Sequence, residues 1–296
     1  MAAPDARRTV RRGSPELALL GVTAIWGVSF VVIKTALTDI SPLLFLALRF
    51  AVAALVLAPL YGRKVRRSDL KAGVLSGTLL FTGLVFQTEG LALTTPSQSA
   101  FLTGLSIPMV PLLNSLVYKT RPRNFEVVGI LIASFGMALM TLPSGKFVMN
   151  TGDVLTLLGA VAFASQLAVV GHYSPLVGFE TLAVVQVTAA AVLGFLSACV
   201  FGPVRFHATP ALFAAVLAMG LLATALAFTG LAWAQQYATP TRAAVILALE
   251  PAVAWLASYV ITGEVLSNRG KMGAGFILAG VLLVELKRSK PETSKI

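Results

Sequence analysis

"TPSQSAFLTGLSIP" (residues 95–108) and "TPTRAAVILALEP" (residues 239–251) match one another after a single one-residue gap, and each closes on a proline set inside an apolar run. A proline inside a helix lacks the amide hydrogen that would bond one turn back, so Pro108 and Pro251 release the carbonyls of Gly104 and Leu247. Matching prolines are harder to obtain by shared composition than matching leucines. The likeness extends outward from this core. Gly129 and Gly136 recur at the separation of Gly273 and Gly280, and "LALLGVTA" (17–24) resembles "VLTLLGAVA" (154–162). Continuing that register sets Lys34 opposite His172 and, one helix later, Arg49 opposite Gln186. The chain reads as one unit written twice.

The solvent for this unit is lipid. Of the 296 residues 57% are apolar and only 12% charged, against about a quarter charged in soluble domains. Apolar runs near the roughly 20 residues that a bilayer requires recur along the chain, predicting helices over 17–37, 42–60, 70–92, 97–117, 125–142, 153–170, 179–201, 211–236, 240–262 and 270–286. The expected fold is an all-α integral membrane protein with ten transmembrane helices as two inverted five-helix repeats, because a five-span unit ends on the opposite side and its copy enters from there. The parts are a cytoplasmic basic segment (1–16), the first repeat (17–142), an outer linker (143–152), the second repeat (153–286) and a cytoplasmic basic tail (287–296). The first apolar run is too long for a signal peptide and reads as a retained helix.

Net charge of +11 does not indicate nucleic acid, since the basic residues are dispersed by loop. With a cytoplasmic N-terminus, seventeen fall on inner segments: Arg7, Arg8, Arg11, Arg12, Arg63, Lys64, Arg66, Arg67, Lys71, Lys119, Arg121, Arg123, Arg242, Lys287, Arg288, Lys290 and Lys295. Four fall outside: Lys146, Arg205, Arg269 and Lys271. The positive-inside rule therefore places both termini in the cytoplasm. Lys34 and Arg49 remain inside spans.

A charge at the centre of a span costs roughly 2.5–3.5 kcal/mol on the insertion scale, so it turns toward the bundle interior. Lys34, Arg49 and Glu89 lie at similar outer depth, where Glu89 would pair with one of the cations to form an electrostatic gate; snorkelling of Lys34 and a structural ion pair at Arg49 are the plainer readings. Glu250, mid-span beside Pro251, is the candidate for binding a proton or a substrate amine, a buried carboxyl being able to take up and release a proton. The alternative is a neutral acid bonded to a neighbouring helix. Trp26, Phe30 and Lys34 share one helix face and suit a cavity wall, with Trp233, Gln166 and Gln186 as further candidates. The kinks at Pro108 and Pro251 open backbone that must find donors, which suits helices lining a wet cavity.

No HExxH, GxSxG, paired cysteine or Walker A sequence occurs, so no catalytic residue, metal site or cofactor is assigned and transport would draw on a gradient. The single cysteine, Cys199, cannot form an internal disulfide. At "AIWGVSFVVIKTAL" (24–37), "ALRFAVAAL" (47–55), "LEPAVAWLASYVITGE" (249–264) and "GFILAGVLLV" (275–284) the sequence resembles the EamA-like branch of the drug/metabolite transporter superfamily. Val265 departs from the basic residue common there. The resemblance implies ten helices in two inverted repeats and export of small metabolites, often amino acids, across the inner membrane. Its aligned positions are Trp26, Lys34, Arg49, Glu250 and Pro251. The expected partners are a small-molecule substrate, the bilayer and a coupling proton, without nucleic acid. A membrane-embedded receptor or interaction subunit without transport is the alternative.

Overall fold

The computed structural model describes residues 14–94, 96–141, 149–201, 205–262 and 267–288. Arg7, Arg8, Arg11, Arg12, Lys146, Val265, Lys290 and Lys295 lie outside the described residues. The described chain is helical: α1 (Ser14–Ala36), α2 (Pro42–Tyr61), α3 (Leu70–Leu93), α4 (Pro96–Gly104), α5 (Ser106–Tyr118), α6 (Asn124–Thr141), α7 (Thr151–Val177), α8 (Phe179–Phe201), α9 (Pro210–Ala218), a π-helical stretch (Met219–Leu226), α10 (Ala227–Ala234), α11 (Pro240–Leu247), α12 (Glu250–Thr262) and α13 (Asn268–Arg288). An isolated bridge joins Ile40 and Phe206.

Local chemistry sets where these helices begin. Thr209 and Thr239 each precede a proline that opens a helix, and their hydroxyls accept from the amides of Leu212 and Arg242 at 3.1 and 3.2 Å. Proline fits there because its missing donor would be unsatisfied anyway. At α7 the Asn150 side chain accepts from the Asp153 amide, and the Asp153 carboxylate accepts in return from the Asn150 amide, both at 2.9 Å. That reciprocal cap holds the helix start in a fixed direction. The helix also continues past the expected end at residue 170 to Val177. Pro175 is tolerated so close to the end, where Ser174 turns its hydroxyl onto the Ala232 carbonyl at 2.5 Å.

Among the described residues eight helical stretches are long and apolar enough to cross a membrane, and Asn124–Met140 is a shorter apolar helix. Large apolar side chains are exposed around the bundle, among them Leu55 at 76% and Leu116 at 78%, while Arg49, Gln166, Gln186 and Asp153 are buried. A protein apolar outside and polar inside is built for lipid. The described chain is nearly all helical, and the protein is a multi-pass integral membrane protein.

Packing pairs helices from the two halves of the chain: α3 lies along α7, α2 along α8 and α6 along α13. In the last pair glycine faces glycine. A Cβ on Gly136 would stand 2.5 Å from the Gly273 carbonyl oxygen, and one on Gly280 2.5 Å from that of Gly129. Only a missing side chain allows backbones so close. At one end of the bundle the α1–α2 loop meets the α8–α9 loop, where the Ser41 amide donates to the Arg205 carbonyl at 3.0 Å and the His207 amide to that of Asp39 at 2.8 Å. Elsewhere the α2–α3 connection meets the start of α8 through a Lys64–Glu180 ion pair of 2.8 Å.

Candidate functional site

Two helices break beside one cavity. The run predicted over 97–117 divides into α4 and α5 around Leu105, and that predicted over 240–262 divides into α11 and α12 around Ala248 and Leu249. Gly104 and Leu247, whose carbonyls the prolines free, both line the cavity. Its empty space is about 850 Å³, part of it open to solvent. Trp26, Ser29 and Phe30 come from α1, Arg49 from α2, Leu84 and Gln87 from α3, Thr103 from α4, Ser106 from α5, Phe163 and Gln166 from α7, Phe228 from α10, and Glu250 and Pro251 from α12. An aromatic wall thus surrounds a few polar groups, the usual make-up of a small-molecule site.

Arg49 is 2% exposed, and its Nε donates to Thr224 Oγ1 at 3.0 Å. Thr224 lies in the π-helical stretch and donates in turn to the Met219 carbonyl at 2.8 Å. The same stretch offers the Ala223 carbonyl to Trp26 Nε1 at 3.0 Å. A π-helical turn widens the backbone ladder and supplies bonding positions that an α-helix would use internally. Trp26 also packs on Phe228, ring centroids 5.0 Å apart. On the opposite helices Gln166 Nε2 donates to Gln186 Oε1 at 3.1 Å, and Ser76 Oγ donates to that oxygen at 2.8 Å. Gln87 Nε2 donates to Thr103 Oγ1 at 3.0 Å. Glu250 differs from all of these: it borders the cavity, and among the described residues no hydrogen bond or ion pair engages its carboxylate.

Of the residues singled out from the sequence, Trp26, Phe30, Arg49, Gln166, Glu250 and Pro251 meet at this cavity. Gln186 stands behind Gln166 and Pro108 behind the α4–α5 break, neither bordering it. Trp233 packs elsewhere, against Tyr237 at 5.6 Å. Lys34, Arg49 and Glu89 form no joint cluster. Lys34 Nζ donates to the carbonyls of Leu91, Ala92 and Thr94 at 2.7, 3.2 and 2.9 Å, closing the C-terminus of α3. A lysine there satisfies orphan carbonyls and the negative end of the helix dipole together. Among the described residues Glu89 pairs with neither cation and lies away from the cavity.

Several contributors carry no signal in the sequence. Gln87, Thr103, Ser106, Phe163 and Phe228 are ordinary members of apolar runs until tertiary packing turns them inward. The π-helical stretch "MGLLATAL" (219–226) has no proline or charge to mark it. Arg242, expected on an inner segment, is 6% exposed. It pairs with Glu16 at 2.5 Å and with Glu285. Asp153, fully buried, accepts from Thr94 Oγ1 at 2.8 Å and Gln98 Nε2 at 2.7 Å. Among the described residues no group of three His, Cys, Asp or Glu is placed to hold a metal.

Residues 13–142 and, separately, residues 150–286 match the EamA-like transporter family. A protein named an uncharacterized transporter from Archaeoglobus fulgidus is 34% identical over 278 residues, 94% of this chain and 88% of the relative. The Escherichia coli uncharacterized inner membrane transporter YedA is 26% identical over 276 residues, 91% of this chain and 90% of its own. A crystal structure superposes with a TM-score of 0.77 at 21% identity, covering 95% of this chain and all of the other, and it supports the helical fold.

Proposed function

Because this chain belongs to the EamA-like transporter family, we propose that it is a secondary exporter of small metabolites bearing an amine, amino acids among them, working by alternating access in the inner membrane. The observation that carries this reading is the Glu250 carboxylate, which borders an aromatic cavity and is engaged by no group among the described residues. A carboxylate held away from bulk water without a partner is costly. A substrate ammonium or a proton removes that cost. Arg49, anchored through Nε, is the counterpart for an anionic group such as a substrate carboxylate. Gln166 and Gln87 contribute polar contacts, and Trp26, Phe30, Phe163 and Phe228 supply apolar and cation–π surface.

The architecture that serves this reading has ten spans in two inverted five-helix repeats, 17–142 and 153–286, joined by an outer linker, with both termini cytoplasmic. Its support is fourfold. The family matches once in each half. Gly129 faces Gly280 and Gly136 faces Gly273. The loop after the first helix of one half meets the loop after the second helix of the other. Basic residues gather on segments of one parity. Two inverted halves can rock about a shared cavity and expose it to each side in turn.

The test is counterflow of labelled amino acids and amines into proteoliposomes holding the purified protein. Wild type accumulates label, and Glu250→Gln, nearly isosteric, loses at least about tenfold in rate while eluting as a folded protein. Flux absent with every compound would return the chain to a receptor or interaction role, and full flux with Glu250→Gln would remove the carboxylate from the mechanism.

A further inference from the structure

The two half-helices α4 and α11 are the walls between the cavity and the two ends of the bundle. Each begins at an end, at Pro96 or Pro240, and finishes at the cavity, at Gly104 or Leu247, where the helix breaks. Each is also tied by its first turn to the first helix of the other half. Gln98 of α4 donates to Asp153 of α7 at 2.7 Å. Arg242 of α11 pairs with Glu16 of α1 at 2.5 Å. Gln98 and Arg242 occupy the same position of the two matching segments, "TPSQ" and "TPTR". In the register of the first helices Asp153 falls opposite Pro15, next to Glu16. The two ties are therefore one contact made twice, neutral amide to carboxylate at one end and guanidinium to carboxylate at the other.

We propose that Gln98–Asp153 and Arg242–Glu16 are the latches of the outer and inner gates, and that their unequal charge holds the empty transporter closed on the inside. Opening the outer gate exchanges an amide hydrogen bond for one to water. Opening the inner gate separates opposite charges that lie mostly out of solvent, with side chains 7% and 14% exposed. Both bonds have an ionised acceptor, but only the inner one joins two opposite formal charges, and Glu285 adds a second carboxylate on the same guanidinium. The empty cavity then spends most of its time facing outward. The substrate's own contacts must supply the free energy that opens it inward. Residues 98 and 242 act as positioning residues: neither borders the cavity. The assignment of outer and inner rests on the topology proposed above.

Sided labelling tests the latches independently of transport. Ser29→Cys places a thiol on the cavity wall, and Cys199, which is exposed, is replaced by serine. A membrane-impermeant maleimide is applied to right-side-out and to inside-out vesicles. The parent labels faster from outside. Q98R gives the outer latch an ion pair and lowers the outside-to-inside rate ratio about tenfold; R242Q lowers it by releasing the inner latch; R242K retains the parental ratio; and Q98R/R242Q inverts it. A ratio within about twofold of the parent in Q98R, which removes no native charge, overturns the latches even should R242Q fail to fold. Counterflow in the same vesicles separates the two claims. Flux intact with an unmoved ratio defeats the latches alone, and a shifted ratio without flux in any protein defeats the transport reading alone.

Discussion

Lys34 and Arg49 carry the same formal charge in neighbouring helices and do different work. Lys34 finishes α3 by donating to three carbonyls, whereas Arg49 is held by one hydroxyl beside the cavity. Lys34→Met therefore lowers thermal stability in detergent by about 1 kcal/mol and leaves the substrate concentration for half-maximal flux within about twofold; a large shift in that concentration would put Lys34 back at the substrate. Thr224→Val keeps volume but removes the partner of Arg49 Nε and of the Met219 carbonyl, a loss of about 1–3 kcal/mol for groups left buried and unpaired. Its expected mark is a flux reduction of about tenfold in protein that still folds, read by counterflow beside a melting curve; unaltered flux would show that Arg49 needs no such anchor. The sequence made Arg49 and Glu250 legible because a charge within a span is expensive wherever it points. It did not reveal the task of Lys34, since a four-carbon stem can reach an adjacent helix end as readily as a cavity. Gln87 and Phe163 were illegible for a simpler reason: helices covered on nearly all sides have no polar face to give direction.

The elements that matter most are those that fail to continue. Pro251 lacks the donor that would close on Leu247, and the helix divides at Ala248 and Leu249. Pro251→Ala restores that donor, which lets α11 and α12 join into one straighter helix. Turnover then falls by about tenfold with no loss of thermal stability, measured by counterflow and by melting of the same preparation. Equal or faster turnover would mean that the break has no part in gating. Both proline breaks could be read from the sequence, because a missing amide is a local property. The π-helical stretch could not. It arises where Arg49, Thr224 and Trp26 together reward extra backbone width, and residues 175 and 197 positions apart in the chain leave no local trace.

At the scale of the molecule, the internal likeness of the sequence is matched by the family model, which fits residues 13–142 and 150–286 separately. Glycines that recur at equal spacing in the sequence face one another across α6 and α13, as the proposed pairing of two inverted repeats requires. Partner choice between halves was not readable in advance, because one apolar helix offers lipid and protein the same chemistry. The central claim is that the halves are inverted about a single cavity, and cysteines at Ser68, in the connection before α3, and at exposed His207, in the loop before α9, test it most directly. These connections follow the second helix of each half. In the Cys199→Ser background, impermeant maleimide should reach residue 207 only in right-side-out vesicles and residue 68 only in inside-out vesicles. Labelling of both from the same face would contradict the inversion.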